Sequence, residues 1–562
     1  MYILGISCYF HDSAACLLKN GKVIAAAEEE RFSRIKHDNN FPINAIKYCL
    51  EEAGINVDKL DFVVFYEKPF RKFERILQSC VETFPKSFNL FKEALPQWVV
   101  EKLRIPTVIK NKIDYEGKVL FVPHHKSHAA SAFFASPFEE AAIVTMDAVG
   151  EWVTTAIHYG KGNEIKTLKT INFPHSLGLF YSAITSYLGF KVLNDEYKIM
   201  GLAGWGKPVY HKRFRKLINY KRDGSFKLNM KYFSYTFGER MFSDELEKEF
   251  GRARNPGEKI TKKHMNIAAT LQKVTEEIIL RIVRYAKKIT GCENLCLAGG
   301  VALNSVANGK ILLSNVFKDI FIQPASSDAG GSLGACLYAY NKILGNKRKY
   351  VMKDVFLGPS YSSKQIREFL EKNDIPYEKL SEKEMVREVA GLIAENKIIG
   401  WFRGRMEFGP RALGHRSILA NPSNPKMKEI LNKKVKHREW FRPFAPSLLL
   451  ESVEEYFGIR KDLPFMIVTL PVMKNKIKRI ISATHVDGTA RPQTTRKKRE
   501  KLYHKLIEEF YSLTGIPSLI NTSFNRRGEP IVCSPIEAYT NFIRFPFDYL
   551  VLENYLILKK LK

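Results

Sequence analysis

The opening of the chain alternates between apolar runs and short polar breaks. Residues 2–7 form an apolar run, and apolar positions resume at 14–18 and again at 23–25, after an Asn-Gly pair. Runs of this length with turn residues between them predict a meander of strands joined by hairpins. A comparable unit recurs at 142–147 and 154–159. Two such starts in one chain predict a duplicated architecture.

Helical periodicity appears between and after these strands. Residues 118–122 read as a buried strand, and the proline at 123 suits the first turn of a helix through 124–130. Apolar side chains recur at helical spacing through 264–288, and a strand at 294–298 leads through a Gly-Gly pair into a new helix. Strands that alternate with helices predict an α/β fold with a parallel sheet.

A polar, basic stretch at 345–349 divides the chain into two parts. We expect one domain over 1–345 and a second over 346–562, which has strands of its own at 398–402 and 465–468. At about 100 to 200 residues per domain, the 562 residues of the chain correspond to about three to five folding units. Apolar residues make up 45% and charged residues 26% of the chain, which excludes a disordered, collagenous or coiled-coil protein.

Neither a membrane segment nor a secretory leader is visible in the sequence. No apolar run approaches the roughly 18 to 20 residues that cross a bilayer, and the first residues lack the basic start of a signal peptide. Eight cysteines are scattered without a C-x-x-C pair, which argues against disulfides and thiolate zinc sites. We therefore expect a cytoplasmic protein without a membrane partner.

The chain carries a large excess of positive charge. Lysine and arginine number 89 against 59 acidic residues, which gives a formal net charge of +30. A charge of this size attracts anions such as nucleotides, phosphates or RNA. The excess is spread along the chain, with one tight run at 496–499, so a lysine-rich proteome is the alternative explanation.

Two histidines and two aspartates predict a metal site. His124 and His128 are four residues apart, so both imidazoles lie on one helix face, where they can share an ion. Asp147 at the end of the next buried strand and Asp328 could complete the shell. This nitrogen and oxygen set suits Fe(II), Mn(II) or Zn(II). The alternative is a histidine cluster at a helix start that hydrogen-bonds to the backbone.

Glycines follow the predicted α/β strands at several turns. Gly150 comes after Asp147, Gly299 and Gly300 open a helix, and a further Gly-Gly pair follows Asp328. Backbone amides at such turns are natural cradles for phosphate groups. Turns also need glycine for their own geometry. Because the pattern is repeated, we expect a nucleotide in the cleft between two subdomains.

The second domain carries basic residues interleaved with glycine, proline and aromatic side chains. Arginine forks bind phosphates bidentately and lysine acts as a point charge, so groups from several loops suit a polyphosphate or an acyl phosphate. A solvated basic face is the alternative. The candidate residues are Arg411, Lys436, Arg442, Arg491, Asn521 and Ser523.

Several motifs together resemble the carbamoyltransferase family that includes the nodulation, cephamycin and aminoglycoside O-carbamoyltransferases. The resemblance covers essentially the whole chain, with the motifs in one order. They lie at 5–7 with 11–15, 28–34, 124–129, 196–203, 298–304 and 409–414.

The resemblance implies a two-domain fold and a two-step reaction. The first domain would be a duplicated, actin-like ATPase-type α/β domain similar to the universal tRNA-threonylcarbamoyladenosine protein, and the second a YrdC-like α/β domain. The second domain would form carbamoyl-adenylate from carbamoyl phosphate and ATP with Mg²⁺. The first would transfer the carbamoyl group to the hydroxyl of a sugar, antibiotic or lipid-linked acceptor.

The resemblance also assigns residues to roles. His124, His128, Asp147 and Asp328 match the metal ligands, with iron favoured. His11 matches the catalytic histidine, and Asn304 joins Gly150, Gly299 and Gly300 in the nucleotide site. With an unperturbed pKa near 6.5, a histidine can act as the base for the acceptor hydroxyl, and the metal as the electrophilic clamp. His11 is alternatively a hairpin-turn residue.

Two other functions compete with this interpretation. An RNA-modifying or RNA-binding protein related to tRNA carbamoylation would explain the charge of +30, but no RNA-recognition module is legible, which speaks against a nucleic-acid partner. An actin-fold sugar kinase would place an aspartate where this chain has residues 5–7, and would not need His124 and His128. A homo-oligomer remains open, since no motif records the oligomeric state.

Overall fold

The computed structural model describes residues 1–559, except for the side chains at 90, 94 and 97. These residues fold into two compact units. Helix α1 (Glu30–Ser33) belongs to the second of them, although it lies near the start of the sequence. Unit 1 is Met1–Glu29 with His37–Met352, and unit 2 is Glu30–Lys36 with the chain from Lys353 onward.

Unit 1 is built on two five-stranded sheets, with a small two-stranded ribbon of β9 and β10 beside them. Its strands are β1 (Tyr2–Ser7), β2 (Ala14–Lys19), β3 (Lys22–Glu28), β4 (Phe62–Phe65), β5 (Val119–Phe121), β6 (Glu140–Met146), β7 (Val153–Lys161), β8 (Glu164–Asn172), β9 (Ile218–Tyr220), β10 (Phe226–Leu228), β11 (Asn294–Ala298) and β12 (Asp319–Ile322).

The two large sheets of unit 1 repeat one plan. The first has the order β3-β2-β1-β4-β5, and the second has the order β8-β7-β6-β11-β12. In each, three strands form an antiparallel meander, and two further strands run parallel to the first strand of that meander. This repetition confirms the predicted duplicated α/β architecture of the actin-like ATPase type.

Twelve helices of unit 1 cover these sheets and connect their parallel strands. They are α2 (Ile43–Ala53), α3 (Pro69–Thr83), α4 (Phe88–Gln97), α5 (Ile105–Ile113), α6 (His124–Phe133), α7 (Leu177–Tyr187), α8 (Glu196–Ala203), α9 (His211–Leu217), α10 (Asp244–Phe250), α11 (Lys262–Thr290), α12 (Ser305–Leu313) and α13 (Asp328–Tyr338). Among residues 1–559, no helix combines the length and the apolar character needed to cross a bilayer.

Helices α6 and α13 pack against each other unusually closely. A Cβ placed on Gly334 of α13 would lie 1.9 Å from the carbonyl oxygen of Ser127 in α6. Only glycine permits this approach, because any side chain would overlap the neighbouring backbone. The contact brings the first turn of α13, which carries Asp328, towards the first turns of α6, which carry His124 and His128.

The periodic segments fold largely as predicted. Helix α6 begins at His124, directly after Pro123, and strand β11 ends immediately before Gly299. The long amphipathic helix α11 is capped by Thr261 and His264 at its start and by left-handed Gly291 at its end. The helix expected after the Gly-Gly pair is preceded by a short 3₁₀ turn, Gly300–Leu303, and begins as α12 at Ser305.

Unit 2 contains an eight-stranded mixed sheet with the order β13-β22-β21-β14-β15-β20-β16-β19, and a separate pair formed by β17 and β18. Its strands are β13 (Glu378–Lys379), β14 (Ile399–Phe402), β15 (Arg416–Ala420), β16 (Ala445–Leu449), β17 (Leu470–Pro471), β18 (Thr489–Ala490), β19 (Gln493–Thr495), β20 (Ser518–Ser523), β21 (Tyr549–Leu552) and β22 (Tyr555–Leu558). Its remaining helices are α14 (Ser363–Lys372), α15 (Glu382–Ala394), α16 (Met427–Ile430), α17 (Val453–Phe457), α18 (Lys501–Thr514) and α19 (Pro535–Arg544).

Unit 2 is thus the second α/β domain that the sequence predicts, although one predicted strand is wrong. Residues 465–468 form turns and irregular backbone instead of a strand. Met466 has a φ of +55°, in the left-handed region, which a strand does not accommodate. An apolar run was mistaken for a strand because its side chains are buried without belonging to a sheet.

The segment 30–36 is held in unit 2 by arginine contacts. Arg31 donates from Nη2 to the carbonyl oxygen of Gly409 at 2.9 Å. Arg34 donates to the carbonyl oxygens of Ile531 and Pro530 at 2.7 and 2.9 Å. Most of the motif at 28–34 therefore contributes to the second unit, which no local sequence pattern indicates. The domain limits 1–345 and 346–562, as a division of the function between two parts of the chain, stay a prediction.

The turn after β11 requires glycine, which gives a test of the fold. Gly299 has a φ of +89°, and a Cβ there would lie 2.2 Å from the carbonyl oxygen of Met146. We expect Gly299→Ala to lower the free energy of unfolding by more than about 3 kcal/mol, because conformational strain and steric overlap add. Chemical denaturation measures this loss.

Gly257 provides the matched control for that substitution. It has a similar φ of +87° but open space around its Cβ position. Gly257→Ala should therefore cost only about 1 to 2 kcal/mol, the strain of the backbone alone. Equal losses in the two variants would contradict the close approach of Gly299 to β6.

Candidate functional site

Four side chains from three elements converge in the interior of unit 1. The Nε2 atoms of His124 and His128, one helical turn apart on α6, lie 3.0 Å from each other. Asp147, directly after β6, places Oδ2 2.9 and 3.1 Å from these two nitrogens. Oδ1 of Asp328, the first residue of α13, lies 3.6 and 3.5 Å from them. All four residues are buried.

This donor set fits a divalent metal ion. The separations between donor atoms match the edges of a coordination shell with bonds of about 2.1 Å, which are about 3.0 to 3.5 Å long. Burial lowers the pKa of His124, but Asp328 and Asp147 outweigh it and raise this pKa well above the usual value. The two carboxylates therefore stabilise a positive charge beside His124. Two imidazoles and two carboxylates accept Fe(II), Mn(II) or Zn(II), so the geometry leaves the metal unidentified.

A second layer of side chains orients these donors. Glu67 lies 3.5 Å from Nδ1 of His124 and accepts two hydrogen bonds from Lys72, at 2.8 and 2.9 Å. Tyr66 donates its hydroxyl proton to Oδ2 of Asp328 at 3.1 Å. Glu151 accepts the backbone N–H of His124 at 2.9 Å. Such partners fix the orientation and tautomer of metal-binding side chains.

The sequence analysis missed Tyr66 and Glu67. Both follow the buried strand β4 directly, as Asp147 follows β6. The same signal, a polar residue at the carboxyl end of a buried strand, was therefore available for them. This signal was weaker at β4, because the strand is short and is followed by the long helix α3 instead of a second hairpin.

Two of the predicted nucleotide residues, Gly300 and Gly150, lie beside Asp147 and His124 respectively. Its Oδ1 accepts the backbone N–H of Gly300 at 3.3 Å. A Cβ on Gly150 would lie 2.9 Å from Cδ2 of His124, so this turn passes close over the imidazole. Asn304 caps α12 and pairs with Gln272 through both ends of its amide group. The structure therefore gives Asn304 a structural task, and its nucleotide contact stays a prediction.

His11 belongs to a hydrogen-bonded cluster in the first hairpin turn. Its Nδ1 lies 3.0 Å from Oδ2 of Asp12, and Oδ1 of the same carboxylate lies 2.7 Å from Nδ1 of His37. The Nε2 of His11 lies 2.5 Å from the carbonyl oxygen of Leu193. Tyr9, Asp12, His37 and Leu193 all have φ between +45° and +71°. Strained non-glycine backbone of this kind gathers at functional sites.

The charge of His11 differs from the sequence expectation. Burial lowers its pKa, but the charge and hydrogen bond of Asp12 outweigh burial and raise the pKa to about 10. His11 therefore carries a proton at neutral pH in this arrangement, whereas an unperturbed histidine would be largely neutral. The expected unperturbed pKa near 6.5 is wrong, because the sequence does not reveal the Asp12 contact, and the role of His11 as the base stays a prediction.

Cationic side chains gather in unit 2. Burial lowers the pKa of Arg491 well below its usual value, and the neighbouring charges of Arg411 and Arg442 lower it further. Burial likewise lowers the pKa of Lys436, with Arg438 and Arg442 adding to the effect. Four predicted residues, Arg411, Lys436, Arg442 and Arg491, thus lie in one electrostatic cluster. Cations brought together against their repulsion indicate a site for an anion.

Hydrogen bonds hold the side chain of Lys436 against the end of strand β20. Its Nζ donates to the carbonyl oxygens of Ser523 and Asn525 and to Oδ1 of Asn525, each at 2.7 Å. Ser523 donates its hydroxyl proton to the same Oδ1, also at 2.7 Å. The sequence analysis missed Asn525, although it lies two residues beyond Ser523 in the same polar motif.

Asn521 lies deeper in the same strand. Its amide donates to Oε1 of Gln493 at 2.9 Å and to Oγ of Ser447 at 3.1 Å, which links β20 to β19 through β16. In the described part of the chain, its Oδ1 is buried without a hydrogen-bond partner. Gln493 was another residue that the sequence analysis did not select, because a buried glutamine in a short strand has no distinctive local pattern.

Two sequence profiles match most of the chain. The profile described as Carbamoyltransferase N-terminus matches residues 2–337, and the one described as Carbamoyltransferase C-terminus matches residues 390–559. The chain belongs to the carbamoyltransferase family. The family resemblance inferred from the motifs and the prediction of a transferase enzyme are both confirmed.

Related proteins span nearly the whole carbamoyltransferase chain. An uncharacterized protein of Synechocystis sp., sll1178, is 45% identical and aligns with 99% of this chain and 97% of its own length. Nodulation protein NolNO of Sinorhizobium fredii is 38% identical over 98% of this chain and 79% of its own length. Among solved structures, component A of the (R)-2-hydroxyglutaryl-CoA dehydratase of Acidaminococcus fermentans covers 61% of this chain and 99% of its own, with 14% identity and a TM-score of 0.35.

The buried donor set predicts metal binding by this carbamoyltransferase. We expect the protein purified after loading with Fe(II), Mn(II) or Zn(II) to retain about one ion per chain. Asp147→Asn keeps the side-chain shape but removes the charge between the two histidines, so the retained metal should fall at least about tenfold. Elemental analysis by mass spectrometry measures the content. His211→Ala, on the partly exposed helix α9, is the control and should retain the ion; equal retention in the Asp147→Asn variant would refute the site.

Proposed function

We propose that the protein is an ATP-dependent O-carbamoyltransferase that works in two steps, in the domains 346–562 and 1–345. The observation that carries this proposal is the cationic cluster of unit 2, where Arg411 and Arg442 act on Arg491, and Arg442 also acts on buried Lys436. ATP and carbamoyl phosphate are polyanions that such a cluster would stabilise.

In the first step, the second domain forms carbamoyl-adenylate. The carbamate oxygen becomes bonded to the α-phosphorus of ATP, pyrophosphate leaves, and water takes up the phosphoryl group of carbamoyl phosphate as inorganic phosphate. Arg411, Arg442 and Arg491 neutralise the charge that accumulates on the transferred groups, as electrostatic stabilisation of a transition state requires. Asn521 and Ser523 orient the substrates, and Mg²⁺ accompanies ATP.

In the second step, the first domain transfers the carbamoyl group to an acceptor hydroxyl. The hydroxyl oxygen bonds to the carbamoyl carbon, and AMP leaves with its phosphate. His11, once Nε2 has lost the proton that faces the carbonyl oxygen of Leu193, accepts the hydroxyl proton, and Asp12 stabilises the imidazolium that results. Gly150, Gly299, Gly300 and Asn304 hold the nucleotide. When held by the four buried donors, a divalent ion, with iron favoured, supplies Lewis-acid polarisation of a substrate oxygen.

The acceptor class is a small molecule with a free hydroxyl, namely a sugar, an antibiotic or a lipid-linked compound. The family assignment supports O-carbamoylation in general. The strained turn around His11 supports a shaped site for one hydroxyl, since strain holds side chains in a fixed geometry.

Pyrophosphate release tests the first step directly. The purified protein is incubated with ATP, Mg²⁺ and carbamoyl phosphate, each omitted in turn, and no acceptor is added. Release that depends on carbamoyl phosphate supports the proposal. No release with intact ATP binding, together with RNA affinity that falls steeply with salt, would instead favour the RNA-related function.

The two steps should separate genetically. His11→Ala should reduce acceptor carbamoylation by about 10²- to 10⁴-fold, since it removes the proton acceptor, and should leave pyrophosphate release unchanged. Arg411→Ala should reduce pyrophosphate release itself. Coupled assays for pyrophosphate and carbamoylated product measure both. A folded His11→Ala protein that loses both activities would contradict the division of labour.

The pH dependence of transfer should reveal the Asp12 contact. His11 must lose its proton before it can accept another, so kcat/KM for the acceptor should rise with pH towards the raised pKa of His11. Asp12→Asn removes the larger of the two carboxylate charges that raise this pKa. The smaller contribution, that of Asp328, remains. The midpoint of the rise should move down by about 1 to 3 pH units. An unchanged midpoint with a lower rate would mean that Asp12 acts only on the fold.

A further inference from the structure

Arg75 on helix α3 is a buried cation without a polar partner. Arg75 is 7% exposed, and its Nε atom is buried. Within residues 1–559, its guanidinium makes no hydrogen bond and no ion pair. Its one neighbour of note is the ring of Phe173, whose centroid lies 4.8 Å from the guanidinium carbon. The enclosed Nε–H group is therefore left without an acceptor.

Other buried arginines of this chain are satisfied by carbonyl oxygens. Arg254 of unit 1 is 6% exposed and donates to the carbonyl oxygens of Leu188, Glu258 and Gly189. Arg416 of unit 2 is fully buried; its Nε lacks a hydrogen-bond partner within residues 1–559, but its two terminal nitrogens donate to four carbonyl oxygens. Arg75 differs from both in that its terminal nitrogens make no such bonds, although a buried guanidinium without partners is costly.

The acidic side chains whose charges act on Arg75 are already engaged. Both oxygens of Glu67 accept hydrogen bonds from Lys72. Glu151 accepts the backbone N–H groups of Lys68 and His124, each at 2.9 Å. Burial lowers the pKa of Arg75 to about 10, with Glu67 and Glu151 acting against this shift. Arg75 therefore keeps its positive charge at neutral pH while it lacks a carboxylate in contact.

We propose that Arg75 binds an oxyanion group, a carboxylate or a phosphate, of a molecule bound in unit 1. A planar guanidinium pairs with such a group through two parallel hydrogen bonds, and the ring of Phe173 supports its other face. The site adjoins the metal-type cluster, because Glu151, which acts on Arg75, also holds the backbone of His124. This anion site does not depend on the proposed reaction, since anions alone can test it.

Two sources could supply the oxyanion, namely the phosphate of the nucleotide or an anionic group on the acceptor. Hydrogen exchange of the full chain, followed by mass spectrometry, distinguishes them and resolves the site from the cationic cluster of unit 2. The probes are AMP, inorganic phosphate and acetate, each compared with sodium chloride at equal ionic strength. The peptides of interest cover α3 and residues 147–175.

We expect one of these probes to slow exchange in α3 and 147–175 of the unaltered protein. Arg75→Met should abolish that protection and should also raise the melting temperature without ligand, because it replaces an unpaired buried charge with an apolar side chain. Protection by AMP alone identifies a nucleotide phosphate. Protection by phosphate or acetate that persists with saturating AMP identifies an anionic group of the acceptor.

Arg254→Met is the matched control, since Arg254 is about as buried as Arg75 but donates a hydrogen bond from each guanidinium nitrogen. It should lower the melting temperature and retain the anion-dependent protection of α3. The proposal fails if no probe protects these peptides more than sodium chloride does. It also fails if Arg75→Met keeps the protection, or loses stability as Arg254→Met does while the response to anions is unchanged.

Discussion

Two buried carboxylates facing two buried imidazoles are the constraint around which unit 1 is organised. Asp147 and Asp328 come after strands β6 and β12 of the second sheet, and neither is tolerable in an apolar interior without a cation beside it. The close packing of α13 on α6 at Gly334 brings Asp328 within reach of His124 and His128. The approach of these groups therefore requires glycine at position 334 and direct contact between helices α6 and α13.

Unit 2 presents the opposite electrostatic problem. It gathers arginines and a lysine, and burial together with mutual repulsion lowers the pKa values of Arg491 and Lys436. Unit 1 thus collects negative charge that a metal ion can balance, whereas unit 2 collects positive charge that phosphate groups can balance. These arrangements are the basis for proposing a divalent ion in unit 1 and phosphate groups in unit 2.

Local pattern sufficed for the elements that carry the site. The i, i+4 spacing of His124 and His128 and the proline before them defined helix α6, and the strand ends at Asp147 and Gly299 were visible as apolar runs that stop at polar or glycine residues. The pattern failed at 465–468, where burial comes from packing and not from a sheet. It also missed Tyr66 and Glu67, whose importance lies in the side chains that they touch.

The sequence by itself determined the class of fold, the family and the residue types of both candidate sites, because periodicity and motif order are local properties of the chain. Only the tertiary structure decided which groups share a charge. The contact of His11 with Asp12, the placement of segment 30–36 in unit 2 and the isolation of Arg75 all depend on residues distant in sequence or on orientation. Electrostatic energy depends on distance and burial, and neither is encoded in the spacing of residues along a chain.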